Sequence, residues 1–559
     1  MADEHAQRAW WKETVFYQIY PRSFQDSTGD GVGDLRGIIS RLDHLAELGV
    51  DGVWLSPMYR SPMVDHGYDI SDYEDIDPQF GSLADFDALL AGLHERGIKL
   101  LIDLVVNHTS DQHPWFIESR SSRDNPKRDW YIWRDPRDGR EPNNWASHFG
   151  GSAWTFDDAT GQYYLHLFSP GQPDLNWRNP EVKEAIFAMI RRWIERGIDG
   201  FRVDVGHLYL KELTLPDIMH AACDGDAPRY VPATAFSSHQ PGLHELYQEL
   251  RRDVLGPDIV LFGEMYELDP ESALAYTAYD RGEFDLVYQY PVVHARGDWT
   301  TVKRSVRTWY ETFAGRAWNT ITFSNHDSPR PVSIFGDDRH CRTQSAMCIA
   351  TFLLSAPGTP FFLQGEEFGM SNVRFPRIED YADAELIGFY RERVRDGGDP
   401  DDTLAQLAPW SRDNARTPMQ WDPTHAAGFT SGTPWLPLHT NYPDINRARQ
   451  VEDPHSVFRY YQRLIALRRE HPTLVYGTYE PLVPDEHALY AYVRRDTERA
   501  ILVVLNTCGT PFTPGDELRA GVAAAGIPGD LITGNTPNPP AAWDTEYGPW
   551  EARLYWLGA

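Results

Sequence analysis

The chain is poor in cysteine, in lysine and in long apolar runs, and each shortage removes a class of function. Four cysteines in 559 residues (Cys223, Cys341, Cys348 and Cys508) form no CxxC pair. Neither a disulfide framework nor a thiolate metal site is indicated, and buried free thiols are the expectation. No uninterrupted apolar stretch approaches the roughly 20 residues needed to span a bilayer. The opening "MADEHAQRAWWKE" lacks the apolar core of a signal peptide. A cytoplasmic protein is expected, as a monomer or homodimer. Only six of the 52 basic residues are lysine, and the net charge is −30. So acidic a surface repels polyphosphate and anionic lipid, which argues against nucleic acid and membrane as partners.

Aromatic side chains are abundant. They make up 13% of the chain, with 19 tryptophans and 28 tyrosines, and hydrophobic residues reach 41%. Most of these rings serve packing, while some offer flat apolar faces that stack on sugars or bases. A chain of this length is expected to hold two or three domains.

Strand-like and helix-like segments alternate from the start. "VFYQIY" precedes an amphipathic "LRGIISRLDHLAELGV" and then "DGVWLSP"; "SLADFDALLAGLHERGI" precedes "KLLIDLVVN". The helices place apolar residues at i, i+3 and i+4, whereas the strands are unbroken apolar runs, the pattern of a parallel sheet buried on both faces. Strands containing Phe16, Val53, Ile102, Val203, Leu261, Val287, Thr322 and Phe362 make eight. Eight such units close an α/β fold, the (β/α)8 barrel. A stretch rich in Asp, Arg, Trp and Asn interrupts the rhythm after the third strand and is too long for a simple connection. The expected organisation is a barrel over 1–106 and 177–475, with a subdomain at 107–176 and a loop-rich segment near 372–453. Alternating "ALYAYVRR", "AILVVLNT" and "WEARLYWL" then indicate an antiparallel β-sandwich domain over 476–559.

The strand "GFRVDV" carries charge where apolar residues belong. Residues two apart on a strand share a face, so Arg202 and Asp204 point together. They could form a buried brace, but desolvation offsets much of the attraction in such a pair. Other strand ends add Asp103, Asn107 and His108 from "LIDLVVNH", Glu264 from "FGEMYE", and His326 and Asp327 from "FSNHDSPR". In a barrel, catalytic groups collect at that rim. Retaining glycoside cleavage needs one ionised carboxylate as nucleophile and one protonated carboxyl as acid, about 5–5.5 Å apart. Arg202 would keep Asp204 ionised, and a neighbour such as Asp327 would keep the proton on Glu264.

At these residues the sequence resembles the α-amylase superfamily of glycoside hydrolases, and within it the α-glucosidase and oligo-1,6-glucosidase branch. "DLVVNH", "GFRVDV", "FGE", "FSNHD", "QPDLNW", "GYDISDY", "EPNNW" and "RTPMQWD" carry the resemblance over nearly the whole chain. It implies that Asp204 is the nucleophile, Glu264 the general acid/base and Asp327 the transition-state stabiliser. His108 and His326 would bind glucose hydroxyls, with Tyr68 and Phe168 in the same pocket, while Asp103, Asn107 and Arg202 hold the surroundings. Asp69 and Arg416 resemble a pair that clamps the non-reducing end and makes such an enzyme exo-acting on short α-glucosides. Transglucosylation, or sucrose or trehalose isomerisation, would use the same intermediate. A remoter alternative is a non-catalytic transporter partner of this fold.

Val205, after the nucleophile, resembles enzymes accepting α-1,6 linkages, yet Gly206 and His207 stand where oligo-1,6-glucosidases usually carry Ile and Asn. The following "YLKELTLPDI" looks more like α-glucosidases of high-GC bacteria. "DSTGDGVGD" places Asp26, Thr28, Asp30, the Val32 carbonyl and Asp34 at the first nine positions of an EF-hand loop. The twelfth is Gly37, so the bidentate Glu is missing. The resembling branch carries a structural calcium here, with magnesium the alternative; the rival reading is a turn in which Asp34 caps the next helix. No organic cofactor is expected.

Overall fold

The computed structural model describes residues 8–218, 230–266 and 268–558. Cys223 lies outside them; the other three cysteines are free thiols, Cys348 fully buried.

Eight short parallel strands form the central sheet: β1 (Phe16–Ile19), β2 (Gly52–Leu55), β3 (Lys99–Leu104), β4 (Gly200–Val203), β5 (Val260–Gly263), β6 (Leu286–Val287), β7 (Thr320–Ile321) and β8 (Thr359–Leu363). They run in the order β6-β5-β4-β3-β2-β1-β8-β7. The Thr320 hydroxyl donates to the Val287 carbonyl at 2.7 Å and ties β7 to β6, closing the barrel. Thr322, expected within the seventh strand, lies just beyond it.

Helices take their places through local signals. Ser82 and Asp85 make a capping box at Leu83–Glu95. Asn179 caps Pro180–Arg196, which stops at a left-handed Gly197. Inward side chains fill the barrel: Phe16 stacks on Phe361 at 4.6 Å and Phe361 on Phe262 at 4.2 Å. This packed floor leaves only the carboxyl-terminal rim open for chemistry.

After β3 the chain builds a three-stranded antiparallel sheet from Trp133–Arg134, Gln162–Leu165 and Trp154–Asp157. The 372–453 segment, read as loop-rich, holds the helices Ala384–Arg395 and Pro400–Leu407, each started by an Asp cap. At the C-terminus the expected antiparallel β domain is present as one five-stranded sheet. Its central strands, Leu489–Arg495 and Ala500–Asn506, alternate. Tyr490, Tyr492, Ile501 and Val503 join the barrel core, while Ala491, Val493, Leu502 and Val504 pack with Leu518 and Val522 of the helix Asp516–Ala525. Barrel and helix cover the two faces, the role a second sheet would play in a sandwich.

Candidate active site

β4 pairs with β3 so that Arg202 stands beside Asp103. The Arg202 guanidinium is wholly buried, lies 5.0 Å over the Trp54 ring, and bridges three acids. It meets Asp103 at 2.6 Å, Asp204 at 2.8 Å and Glu264 at 2.7 Å. The pair read from "GFRVDV" is therefore part of a cluster spanning three adjacent strands. Trp54 and Tyr68 also donate to Asp103, at 2.8 and 3.3 Å. The expectation that Arg202 simply holds Asp204 ionised needs correcting. Burial pushes the Asp204 carboxyl well above the usual range; Arg202 opposes this, while the Glu264 charge adds to it.

Val205 turns the chain at the end of β4. Its φ of 37° is left-handed, an uncommon state for a β-branched residue. Its N–H donates to Glu264 at 3.1 Å. It does not continue the strand face of Val203, because β4 ends there. Gly206 follows in a tight place: a Cβ would sit 2.7 Å from the Tyr247 hydroxyl, which itself donates to the Gly206 carbonyl, so a larger residue requires that side chain to shift.

Asp327, beyond β7, belongs to a different electrostatic group. Burial works against its charge, but His326 at 3.0 Å, with Arg416 at 2.6 Å and Arg412 at 3.5 Å, holds it well below the usual carboxylate range. His326 stacks between Tyr68 at 5.0 Å and Tyr20 at 5.9 Å. His108 sits near the Phe168 ring at 5.2 Å and meets the Tyr68 carbonyl at 2.9 Å and the Asn107 amide at 3.1 Å.

These groups surround a cavity of about 630 Å³. Tyr68, His108, Phe168, Asp204, Glu264 and Asp327 line it, along with Val205 and His207. Arg202, Asp103, Asn107, His326 and Arg416 stand behind this layer, fully buried.

The clamp expected from Asp69 and Arg416 is not what the structure builds. Asp69 accepts from Ser61, Val64 and Asp65, at 2.9, 2.8 and 3.0 Å, which closes its own loop; burial pushes it up to about 6. The cavity is lined instead by Asp65 and Arg412, 3.5 Å apart. Each lies four residues before its expected counterpart, and spacing alone gives no sign of which member of "DHGYD" or "RDNAR" faces inward. Tyr266, Tyr290, Gln172 and Glu385 also line the cavity and were missed. Lys211 was missed as well, although a lysine is conspicuous in a lysine-poor chain. Its ammonium is buried against Asp174 at 2.6 Å and Asn107 at 2.7 Å.

In the Asp26–Asp34 loop, Asp26 accepts from the N–H groups of Thr28, Gly29 and Gly31, at 2.7, 2.8 and 2.8 Å. Asp34 caps the helix Leu35–Ser40 through the Gly37 N–H at 2.8 Å, and Asp30 accepts from the Val32 N–H. Among the described residues, no three His, Cys, Asp or Glu gather so as to hold a metal. The helix cap expected of Asp34 is therefore present in this loop.

Comparison with known proteins agrees with this geometry. The model of the alpha-amylase catalytic domain matches residues 18–477. An oligo-1,6-glucosidase of Parageobacillus thermoglucosidasius is 49% identical over 89% of this chain and 91% of its own length. A trehalose-6-phosphate hydrolase of Bacillus subtilis (strain 168) is 43% identical over 92% of each chain. Among solved structures, the isomaltulose synthase from Erwinia rhapontici NX5 superposes with a TM-score of 0.92 at 39% identity, covering 99% of this chain and 100% of that one. These matches lend nothing to the likeness to enzymes of high-GC bacteria. With a closed barrel, acids at three strand ends and relatives of this kind, the chain belongs to the alpha-amylase family and is a glycoside hydrolase of the α-glucosidase type.

Proposed function

We propose that this protein is a retaining, exo-acting α-glucosidase that cleaves short α-glucosides through a glucosyl-enzyme on Asp204, with Glu264 as acid/base and Asp327 as stabiliser. The observation that carries the reading is the shared guanidinium. Asp204 and Glu264 hold the two terminal nitrogens of Arg202, at 2.8 and 2.7 Å. Two carboxylates so tied favour the about 5–5.5 Å separation of retaining enzymes over the about 6.5–9.5 Å of inverting ones. Exo action is supported by the position of Asp65 and Arg412 on the cavity wall, a pair suited to binding hydroxyls at a closed end. Asp204→Asn should abolish turnover of maltose and isomaltose while circular dichroism stays native. Proton NMR of early product should show α-glucose; β-glucose first would refute retention.

Val205 supports a preference for α-1,6 linkages, as does the oligo-1,6-glucosidase relative. A second reading has its own support: close structural neighbours are isomaltulose synthases. In that case a sugar rather than water would take the glucosyl group, and sucrose would yield isomers with little free glucose.

The calcium site rests on the loop's spacing and on the resemblance, and we propose it on that ground. Metal analysis of protein never exposed to chelator decides it: near one calcium or magnesium per chain is its expected result, and none refutes it. A cytoplasmic location and a monomeric or homodimeric state are proposals of the same kind. Among the described residues, no helix is long and apolar enough to cross a membrane.

A further inference from the structure

Glu264 is held from two sides that differ in kind. Oε2 faces the Val205 N–H at 3.1 Å and the Arg202 guanidinium at 2.7 Å. Neither group can accept a hydrogen bond, so neither adapts to a protonated carboxyl. Oε1 meets two phenols instead: the Tyr290 hydroxyl donates at 2.6 Å and the Tyr266 hydroxyl at 3.1 Å. A phenol both donates and accepts. The two rings stack with centroids 4.3 Å apart and 28° between planes, which sets both hydroxyls on one oxygen. Tyr266 and Tyr290 line the cavity with Glu264, whereas Arg202 is buried behind it. Oε1 is thus the oxygen on the substrate side.

We propose that Tyr266 and Tyr290 are positioning residues for the proton cycle of Glu264, and that Oε1 is the oxygen that carries the proton. This rests on the retaining reading and deepens it. In the first half-reaction the Oε1–H bond breaks and its proton passes to the glycosidic oxygen. The C1–O electron pair leaves with the departing sugar as an Asp204 oxygen bonds C1. In the second half, a water proton goes to Oε1 and the water oxygen bonds C1. The pair from the Asp204–C1 bond then returns to the carboxylate. Glu264 alternates between donor and acceptor at one oxygen, and a neighbour that only donates would oppose half of that cycle. A tyrosine turns its O–H and serves both halves; a phenylalanine serves neither.

Other groups face Glu264 without duplicating this role. Arg202 and Asp204 come from β4 and its end, Tyr209 from the loop beyond, and Tyr288 from the end of β6. The His207 ring lies 5.4 Å from Tyr266. Among the described residues, only the two tyrosines place hydroxyls on Oε1.

The test compares Tyr290→Phe, Tyr266→Phe and the double variant with the parent enzyme. One substrate is isomaltose, whose leaving group needs a proton; the other is 2,4-dinitrophenyl α-glucoside, whose phenolate departs without one. General acid–base catalysis contributes about 10²–10⁴-fold, so impairing it is expected to lower kcat/KM on isomaltose by about 10–100-fold. On the aryl glucoside, the loss of kcat/KM should be smaller by about tenfold or more than on isomaltose. The pH dependence of kcat on isomaltose should move in the variants. Equal losses on both substrates, or no loss on isomaltose, would overturn the proposal. The parent enzyme separates the two ideas: if it releases β-glucose, the retaining reading fails whatever the tyrosines do.

Discussion

Lys211→Met tests whether the pocket is held from behind by a buried ion pair. Lys211 Nζ lies 2.6 Å from Asp174 Oδ2 and 2.7 Å from Asn107 Oδ1. Asp174 in turn accepts from the Leu167 N–H at 2.9 Å and the Asn107 amide at 3.3 Å, and its backbone bridges to His108. Three segments far apart in the chain meet here, just beneath His108. Methionine keeps most of the side-chain length but removes the cation, leaving the Asp174 charge in a site with no exposure. Breaking one side of such a pair costs about 3–5 kcal/mol, whereas replacing both partners is often close to neutral. A chain of this size does not unfold in two states, so the readout is local. Native-state hydrogen exchange of residues 104–110, followed by mass spectrometry, should accelerate by roughly 150–4,000-fold, at 1.4 kcal/mol per factor of ten. The double variant Lys211→Met/Asp174→Asn should recover most of that loss. Exchange within about threefold of the parent, or no recovery in the double variant, would show that the ion pair does not brace the pocket.

Two further predictions concern pH. Burial pushes the His113 imidazole down to about 3, and its ring nitrogen accepts the Trp115 N–H at the start of the helix Pro114–Ser121. The folded form stays neutral while the unfolded chain takes a proton below about 6.5, so stability is present above that pH and is lost as pH falls toward 3. His113→Asn keeps a capping side chain without titration. Its melting temperature should fall less than the parent's between pH 6.5 and 4, and an identical fall would refute the argument. Arg416→Gln removes one of the charges that hold Asp327 down. The acid limb of kcat/KM on an aryl glucoside should therefore move to higher pH, and an unmoved limb would mean that Asp327 does not limit activity there.

Much of the barrel could be read in one dimension because its strands are buried on both faces. Val53, Ile102 and Leu261 sit in unbroken apolar runs for that reason, and charged residues that end or interrupt such runs, as Arg202 does beside Phe201, stand out. Period two puts Arg202 and Asp204 on one face from the sequence alone. Loops obey no such period. Asp65 and Asp69 are four residues apart, as are Arg412 and Arg416, and which of each pair reaches the cavity depends on the path imposed by contacts from elsewhere. Asp69 is claimed by the N–H groups of its own loop, while Arg412 is drawn inward by Asp383 at 2.8 Å and by Asp327.

Composition and periodicity by themselves determined the closed barrel, the trailing antiparallel domain and the strand ends that would carry the acids, because burial writes a regular pattern into an element. Only the tertiary structure decided which acids share Arg202, that Asp327 keeps company with Arg416 and His326, and that two tyrosines from successive strand ends meet on Glu264. Several of those contacts join residues 26 to 99 positions apart, and their geometry is set by strand register and loop path, neither of which leaves a periodic trace in the chain.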